Sequence, residues 1–276
     1  MSGTLFVVGT PIGNLGDISP RALETLDNCD FIAAEDTRVT LKLLNRFEIK
    51  KPMVSYFEHN RFERGPVIAE RILNGENCAI VTDAGMPAIS DPGEDLVKLC
   101  IEKGIKVESV PGPCAFATAL AVSGMPSKRF TFEGFLPVEK NARREHISSL
   151  ENEIRTMIFY EAPHKLASTL ADLAKALGDR KIAIVRELTK IHEQVIKTTL
   201  CDAAEKYSKE DIKGEIVLIV CGAEPKEKEE MTLEQAAEYA KMLVAGGESK
   251  SDAAKLAAKE SGFKKGDIYR MLLSEE

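Results

Sequence analysis

Leu5-Phe6-Val7-Val8-Gly9-Thr10-Pro11-Ile12-Gly13-Asn14-Leu15-Gly16-Asp17 runs from an apolar segment straight into a loop dense in glycine and proline. A short β-branched and aromatic run bounded by such residues reads as a buried strand followed by a tight turn into a helix. Residues 31–34, 78–82 and 106–110 repeat the pattern, with amphipathic stretches between them. Strand, helix and strand at this spacing predict a parallel sheet. The loops at the carboxyl ends of such strands are where α/β sheets bind ligands. The glycines at 9, 13 and 16 do not form GxGxxG, and no Gly-Lys-Ser/Thr follows. Neither a dinucleotide fingerprint nor a Walker loop is supported, because each needs its glycines at fixed positions for close pyrophosphate approach. Taken alone, the loop is equally well read as a tight turn.

The chain has 276 residues, enough for two domains or one large domain with an appendage. With 44% hydrophobic and 29% charged residues, it has the composition of a globular protein, not a disordered one. No apolar run approaches the ~20 residues of a membrane helix. The first residues lack the basic flank of a signal peptide, so a cytoplasmic location away from membranes is expected. Six cysteines form no CxxC pair and no histidine stands at metal-ligand spacing, which predicts reduced thiols and no metal site. A net charge of −7 argues against unspecific coating of nucleic acid but leaves room for a local basic face.

Residues 111–126 break into Pro-Gly-Pro and Ser-Gly-Met-Pro around a small-residue helix at 115–122, a crossing between domains. A second set of strands is predicted at 129–134, 156–160, 181–187, 195–200 and 215–221, with mixed directions. The charged run 224–230 reads as a linker, and two short helices with a glycine-containing turn after it fit a helix-turn-helix module. The expected fold class is α/β: two α/β domains at 1–118 and 119–224 with a ligand-binding cleft between them, plus a small helical module at 231–276.

Two further loops follow strands. Asp83-Ala84-Gly85-Met86-Pro87-Ala88-Ile89-Ser90-Asp91-Pro92-Gly93 holds two prolines and two glycines, stiff enough to bring backbone close to a ligand. Val110-Pro111-Gly112-Pro113-Cys114-Ala115 opens a helix, whose free amide groups suit an adenine edge or a carboxylate. Three such loops at one sheet edge predict a pocket.

On these strings the chain resembles the tetrapyrrole (corrin/porphyrin) methylase superfamily, over essentially its whole length. Thr10-Pro11, Gly85-Met86-Pro87 and Pro111-Gly112-Pro113-Cys114-Ala115 carry the superfamily. Its RNA-modifying branch is carried by Gly9-Thr10-Pro11-Ile12-Gly13-Asn14-Leu15, Glu35-Asp36-Thr37-Arg38, the 83–93 loop, Phe159-Tyr160-Glu161-Ala162-Pro163-His164 and Glu187-Leu188-Thr189-Lys190. The resemblance implies a homodimer that binds S-adenosylmethionine between two α/β domains. It also implies methylation of a cytidine ribose 2′-hydroxyl of 16S ribosomal RNA near the decoding centre, on naked RNA or the small ribosomal subunit. Carried onto matching positions, the donor site comprises Pro11, Gly85, Met86, Ile89, Cys114, Ala115, Tyr160, Leu188 and Glu215. Met86 stands where tetrapyrrole enzymes carry an acidic residue, so backbone contacts from Gly85, Met86 and Ile89 transfer more readily than side-chain ones. Cys114 and Leu188 suit core packing equally well.

Methyl transfer from a sulfonium to a hydroxyl is an in-line displacement in which positioning dominates, and no metal is required. A general base would add ~10² to 10⁴-fold. Lys190 fits if burial lowers its pKa, Glu161 is the alternative, and Glu193 and Asp36 are weaker. Arg38 instead suits a phosphate clamp. Each also has a structural reading, as an exposed ion pair, a helix cap or a bridge to a neighbouring carboxylate. Residues 36–64 carry seven cations against four anions, and Tyr56 and Phe57 lie among them to stack a splayed base. Lys140-Asn141-Ala142-Arg143-Arg144 reads as a mobile basic loop able to close over RNA. Two other readings stay open: a tetrapyrrole methyltransferase, and a non-catalytic, donor-sensing RNA-binding protein.

Overall fold

In the computed structural model, which describes residues 2–224 and 231–274, the first half alternates strands and helices. They are β1 (Thr4–Val8), α1 (Pro20–Asn28), β2 (Phe31–Ala34), α2 (Thr37–Arg46), β3 (Met53–Ser55), α3 (Arg61–Leu73), β4 (Cys78–Val81), α4 (Glu94–Glu102) and β5 (Lys106–Val110). The sheet order is β3-β2-β4-β1-β5. Every pairing in it is parallel, as expected. Residue parity explains the continuous apolar runs. Phe31, Ala33, Cys78 and Ile80 pack with α3 and α4, while Ile32, Ala34, Ala79 and Val81 pack with α1 and α2. A sheet covered on both faces needs apolar residues at every position. β3 escaped the sequence reading because its three residues form an edge strand paired only with β2, too short to show a period.

This topology creates the ligand crevice. β1 lies beside β4, and the loop after β1 leads to α1 on one face whereas the loop after β4 leads to α4 on the other. Such divergence between neighbouring strands marks the switch point at which open α/β sheets bind ligands.

The second sheet follows α5 (Ala115–Ser123) and is built from β6 (Phe130–Phe135), α6 (Lys140–Ser149), β7 (Thr156–Glu161), α7 (Leu166–Leu177), β8 (Lys181–Arg186), β9 (Gln194–Thr199), α8 (Leu200–Tyr207) and β10 (Ile216–Val220). Its order is β6-β7-β10-β8-β9. β6 and β7 are parallel and the other pairs antiparallel, the mixed directions expected. One face packs against α7 and α8. The other, with Ile158, Val185 and Ile219, receives Ala119 and Leu120 of α5 together with Ile12 from the loop after β1. Burying a side chain of that size stabilises by roughly 1.5–3 kcal/mol, so Ile12 helps fasten the first half to the second. The boundary expected between residues 118 and 119 falls inside α5.

Two expectations are corrected here. The basic run at 140–144 is the first turn of α6, not a loop. The Glu139 carboxylate caps it by accepting from the amides of Asn141 and Ala142 at 2.9 and 2.7 Å. Arg143 is bound to Asp172 and to the Thr169 hydroxyl, both at 2.8 Å, which removes it from any free basic face. Tyr56 is 2% exposed within the core of the first half, so stacking is left to Phe57.

The chain divides into two units, Met1–Ala223 and Glu224–Glu276. Apart from Glu224, the run expected as a linker lies outside the described residues. The second unit holds α9 (Leu233–Ala245), α10 (Lys250–Ser261) and α11 (Lys265–Ser274). α9 opens with a Thr232/Gln235 capping box, and α10 ends at Gly262, which has a left-handed φ of 78° that glycine adopts without strain. Alanines 236, 240, 253, 254 and 257 let the helices approach closely around Ile268 and Leu272. Among the described residues no helix is long and apolar enough to cross a membrane.

Candidate active site

The three glycine- and proline-rich loops meet at the switch point, held by contacts that exclude side chains. A Cβ on Gly9 would lie 2.6 Å from the Gly112 Cα and from the Met86 sulfur, and one on Gly112 would lie 2.8 Å from the Gly9 backbone. Thr10 and Gly85 form an isolated antiparallel bridge, their amides donating to each other's carbonyls at 2.9 and 3.2 Å. Gly85 has φ +94°, a conformation that favours glycine. Gly13 (φ +144°) carries the first loop against the second half, where a Cβ would lie 2.8 Å from the Lys190 Cγ. Gly9 is thus explained by backbone meeting backbone, and Gly13 by the close approach of the Lys190 side chain.

These loops and the second sheet enclose a cavity of about 380 Å³. That lies in the range of roughly 300–1,000 Å³ usual for small-molecule sites. Gly85, Met86, Ile89, Cys114, Ala115, Tyr160, Leu188 and Glu215, all named from sequence, line it. Pro11 does not; it faces a separate hollow of about 300 Å³ with Leu15, Val39 and Leu43. The cause is alternation along an extended loop: Ile12 turns into the cavity while Pro11 and Gly13 turn away.

Backbone strain gathers at this cavity. Five non-glycine residues with positive φ occur among the described residues, and four flank the cavity: Ala88, Ser90, Glu187 and Thr189, at 52° to 67°. A β-branched residue such as Thr189 in this region is uncommon, and strain of this kind collects at ligand sites held by their surroundings.

The two strained loops differ in charge. Asp91 lines the cavity, and burial, followed by the nearby Glu35 and Asp83 carboxylates, pushes its pKa up to about 7. Asp83 is also raised, by burial and then by Glu35. Glu35 accepts hydrogen bonds from the Thr82 hydroxyl at 2.5 Å and the Asp83 amide at 3.3 Å. Across the cavity, the Lys190 ammonium is 2.9 Å from both the Glu187 and Glu215 carboxylates. The hydrogen bond from Lys190 holds Glu187 below its ordinary range. For Lys190 burial acts downward, but the hydrogen bonds to Glu187 and Glu215 outweigh it and the net direction is upward. A lysine base needs the opposite direction.

The other catalytic candidates separate clearly. Glu161, at the end of β7, is 6% exposed and lines the cavity. One oxygen accepts from the Ala162 amide at 2.8 Å and the other from the Thr169 hydroxyl, which orients the carboxylate. Arg38 is away from the cavity, with its side chain 87% exposed. It forks onto Asp36, with Nη2 at 2.6 Å, and that bond is the first cause holding the Asp36 carboxyl at about 2. Asp36 also caps α2. Tyr160 accepts a hydrogen bond from the Phe116 amide at 3.1 Å, and burial pushes its phenol up to about 12, so it stays a neutral donor.

Asp91, Ile12, Phe135, Val185 and Val217 line the cavity without having been named as donor contacts. Asp91 lies in the loop at 83–93, and its charge is the signal the sequence offers. The apolar strand residues carry no signal that separates cavity wall from core.

Residues 4–204 match the family described as Tetrapyrrole (Corrin/Porphyrin) Methylases. The chain is 44% identical over 275 residues to "Ribosomal RNA small subunit methyltransferase I" of Synechocystis sp., covering 99% of each chain. It is 48% identical over 222 residues to the protein of that name from Thermotoga maritima, covering 80% of this chain and all of that one. Among solved structures, uroporphyrin-III C-methyltransferase from Thermus thermophilus complexed with S-adenosylhomocysteine aligns at a TM-score of 0.55 and 17% identity, over 79% of this chain and 97% of that one. At that identity the likeness speaks for the fold alone. A cavity at the switch point of a parallel sheet, closed by a second mixed sheet, has its place in this company: the chain belongs to the tetrapyrrole (corrin/porphyrin) methylase family.

Proposed function

We infer that this chain is an S-adenosylmethionine-dependent methyltransferase acting on small-subunit ribosomal RNA, and that its target is the 2′-hydroxyl of a cytidine ribose. One observation carries the reading: eight of the nine residues named for the donor from sequence converge on the 380 Å³ cavity. The donor fits the walls. Ile12, Leu188 and Val217 offer apolar surface, Gly85 offers backbone without a side chain, and Asp91 offers a carboxylate to a cationic ligand.

When bound, S-adenosylmethionine supplies a methyl group already activated by the sulfonium charge. The chain's own work is then positioning and proton handling. The apolar wall excludes water and strengthens the interaction between carboxylates and a cation. Glu161, held by Ala162 and Thr169, is the group we assign to accept the hydroxyl proton, in place of Lys190, whose pKa moves the wrong way. The proposed transfer requires no metal. We carry over a cytoplasmic location and a homodimer as part of the reading, the latter to be checked by sedimentation.

The test is to incubate the purified protein with methyl-labelled donor and either small ribosomal subunits or a uroporphyrinogen-type macrocycle. Label on a cytidine ribose oxygen is expected. Label on macrocycle carbon, or tight donor binding without transfer to RNA, would overturn the assignment in favour of a tetrapyrrole enzyme or a donor sensor.

A further inference from the structure

The hollow that holds Pro11 has a composition unlike the donor cavity and lies against the most basic helix of the first half. Leu15, Val39 and Leu43 line it, with Leu15 45% and Val39 37% exposed, and Thr82 and Asp83 stand among its polar lining. α2 carries Arg38, Lys42 and Arg46 at intervals of four residues, all exposed. That interval places them on one face, about 6 Å apart along the axis. Arg38 is committed to Asp36. Lys42 lines the hollow, and neither it nor Arg46 has an ion-pair partner among the described residues, in contrast to Arg61, which is bound to Glu58 and Asp95.

Apolar surface left in water beside unpaired cations has the complementarity of a nucleotide: an apolar face for the base and cations for the phosphates. Asp83 adds an acceptor for an exocyclic amino group, the pairing carboxylates make with cytosine. The hollow and the donor cavity are separated by one thickness of backbone. Pro11 and Gly13 face the hollow while Ile12 faces the cavity, and Asp83 faces the hollow while Ala84 and Gly85 face the cavity.

From this we propose that the hollow between the loop after β1 and α2 is a base slot. It takes one unpaired ribonucleotide adjoining the methylated one, with Lys42 and Arg46 on the phosphates that follow. The proposal rests on the RNA-methylating reading above and adds the place where the strand is gripped.

Two double variants test it, with a fluorescent single-stranded oligoribonucleotide spanning the methylated cytidine as probe. Lys42→Gln/Arg46→Gln is expected to lower the slope of log affinity against log salt by about 1.4, since each phosphate contact to a single strand contributes ~0.7. Leu15→Ser/Val39→Ser is expected to weaken RNA binding by about tenfold with the salt slope unchanged, the signature of a base contact. Both variants change exposed residues, and retained S-adenosylmethionine affinity shows that the fold is kept. If both bind RNA as the wild type does, the slot is wrong while the methyltransferase reading stands. If the wild type neither binds nor methylates RNA, that reading and the slot fall together.

Discussion

The loops at 83–93 and 187–190 face the same cavity and carry the same kind of backbone strain, yet their charges are arranged in opposite ways. The first holds Ala88 and Ser90 at positive φ and leaves Asp91 without a cation, its pKa pushed up to about 7 by burial and by Glu35 and Asp83. The second holds Glu187 and Thr189 at positive φ, but Lys190 bridges Glu187 and Glu215 there. One loop therefore offers unmet negative charge to a cationic ligand, and in the other Lys190 offsets Glu187 from within and also engages Glu215. Strain marks both as ligand-facing, and the charge separates the wall that receives the donor's positive centre from the wall that only closes the site.

The largest effect expected from breaking this contrast concerns the carboxylate that stands apart from both loops. Glu161→Gln removes the assigned proton acceptor but leaves an isosteric amide, so kcat falls by ~10² to 10⁴-fold while donor affinity changes little. Lys190→Gln, measured in the same single-turnover assay, should keep most of the activity. The opposite ranking would return the base role to the lysine.

Asp91→Asn comes next. Losing a charged partner in a half-buried site costs about 1.5–3 kcal/mol, which is a ~10 to 100-fold weaker donor affinity by calorimetry. The same substitution should stabilise the protein without donor. Folding raises the Asp91 pKa, so the folded state binds this proton more tightly than the unfolded chain. The resulting stability is lost as pH rises from the ordinary carboxylate range through about 7. Asp91→Asn should therefore raise Tm most at about pH 8, less at about pH 5, and hardly at all below the ordinary carboxylate range. A lower Tm at the higher pH would show that Asp91 is a structural partner instead of a poised one.

The smallest effect tests the strain itself. Thr189→Gly removes a β-branched side chain from a left-handed conformation that costs about 1–2 kcal/mol, so stability should rise by about 1 kcal/mol in urea titration. Turnover should fall if the strained loop holds the cavity in shape.

Most of the fold was legible because its evidence is local. Apolar runs such as 31–34 and 78–82 identify parallel strands by themselves, and Gly9, Gly85 and Gly112 lie in the loops that meet. What was missed depends on partners distant in sequence. β3 is a strand only because β2 lies beside it, and the basic run 140–144 became a helix through the cap at Glu139. Lys190 looked like a base until Glu187 and Glu215 were found on its ammonium, and Arg38 looked like a phosphate clamp until Asp36 was found in its fork. Asp91 went unnamed as a donor contact for the same reason, since its raised pKa comes from burial and from Glu35 and Asp83 on other segments of the chain. Residue type shows that a side chain can ionise; only the fold shows what answers the charge.

The claim that the cavity is poised for a cationic donor is tested most directly by titrating S-adenosylmethionine into wild type and Asp91→Asn at about pH 6 and about pH 8. Ionised Asp91 attracts the donor and protonated Asp91 does not. Wild type should bind several-fold more tightly at the higher pH, and Asp91→Asn should bind weakly and alike at both. Equal affinity of the wild type at the two pH values, or an Asp91→Asn variant that binds as well as wild type at the higher one, would contradict the account.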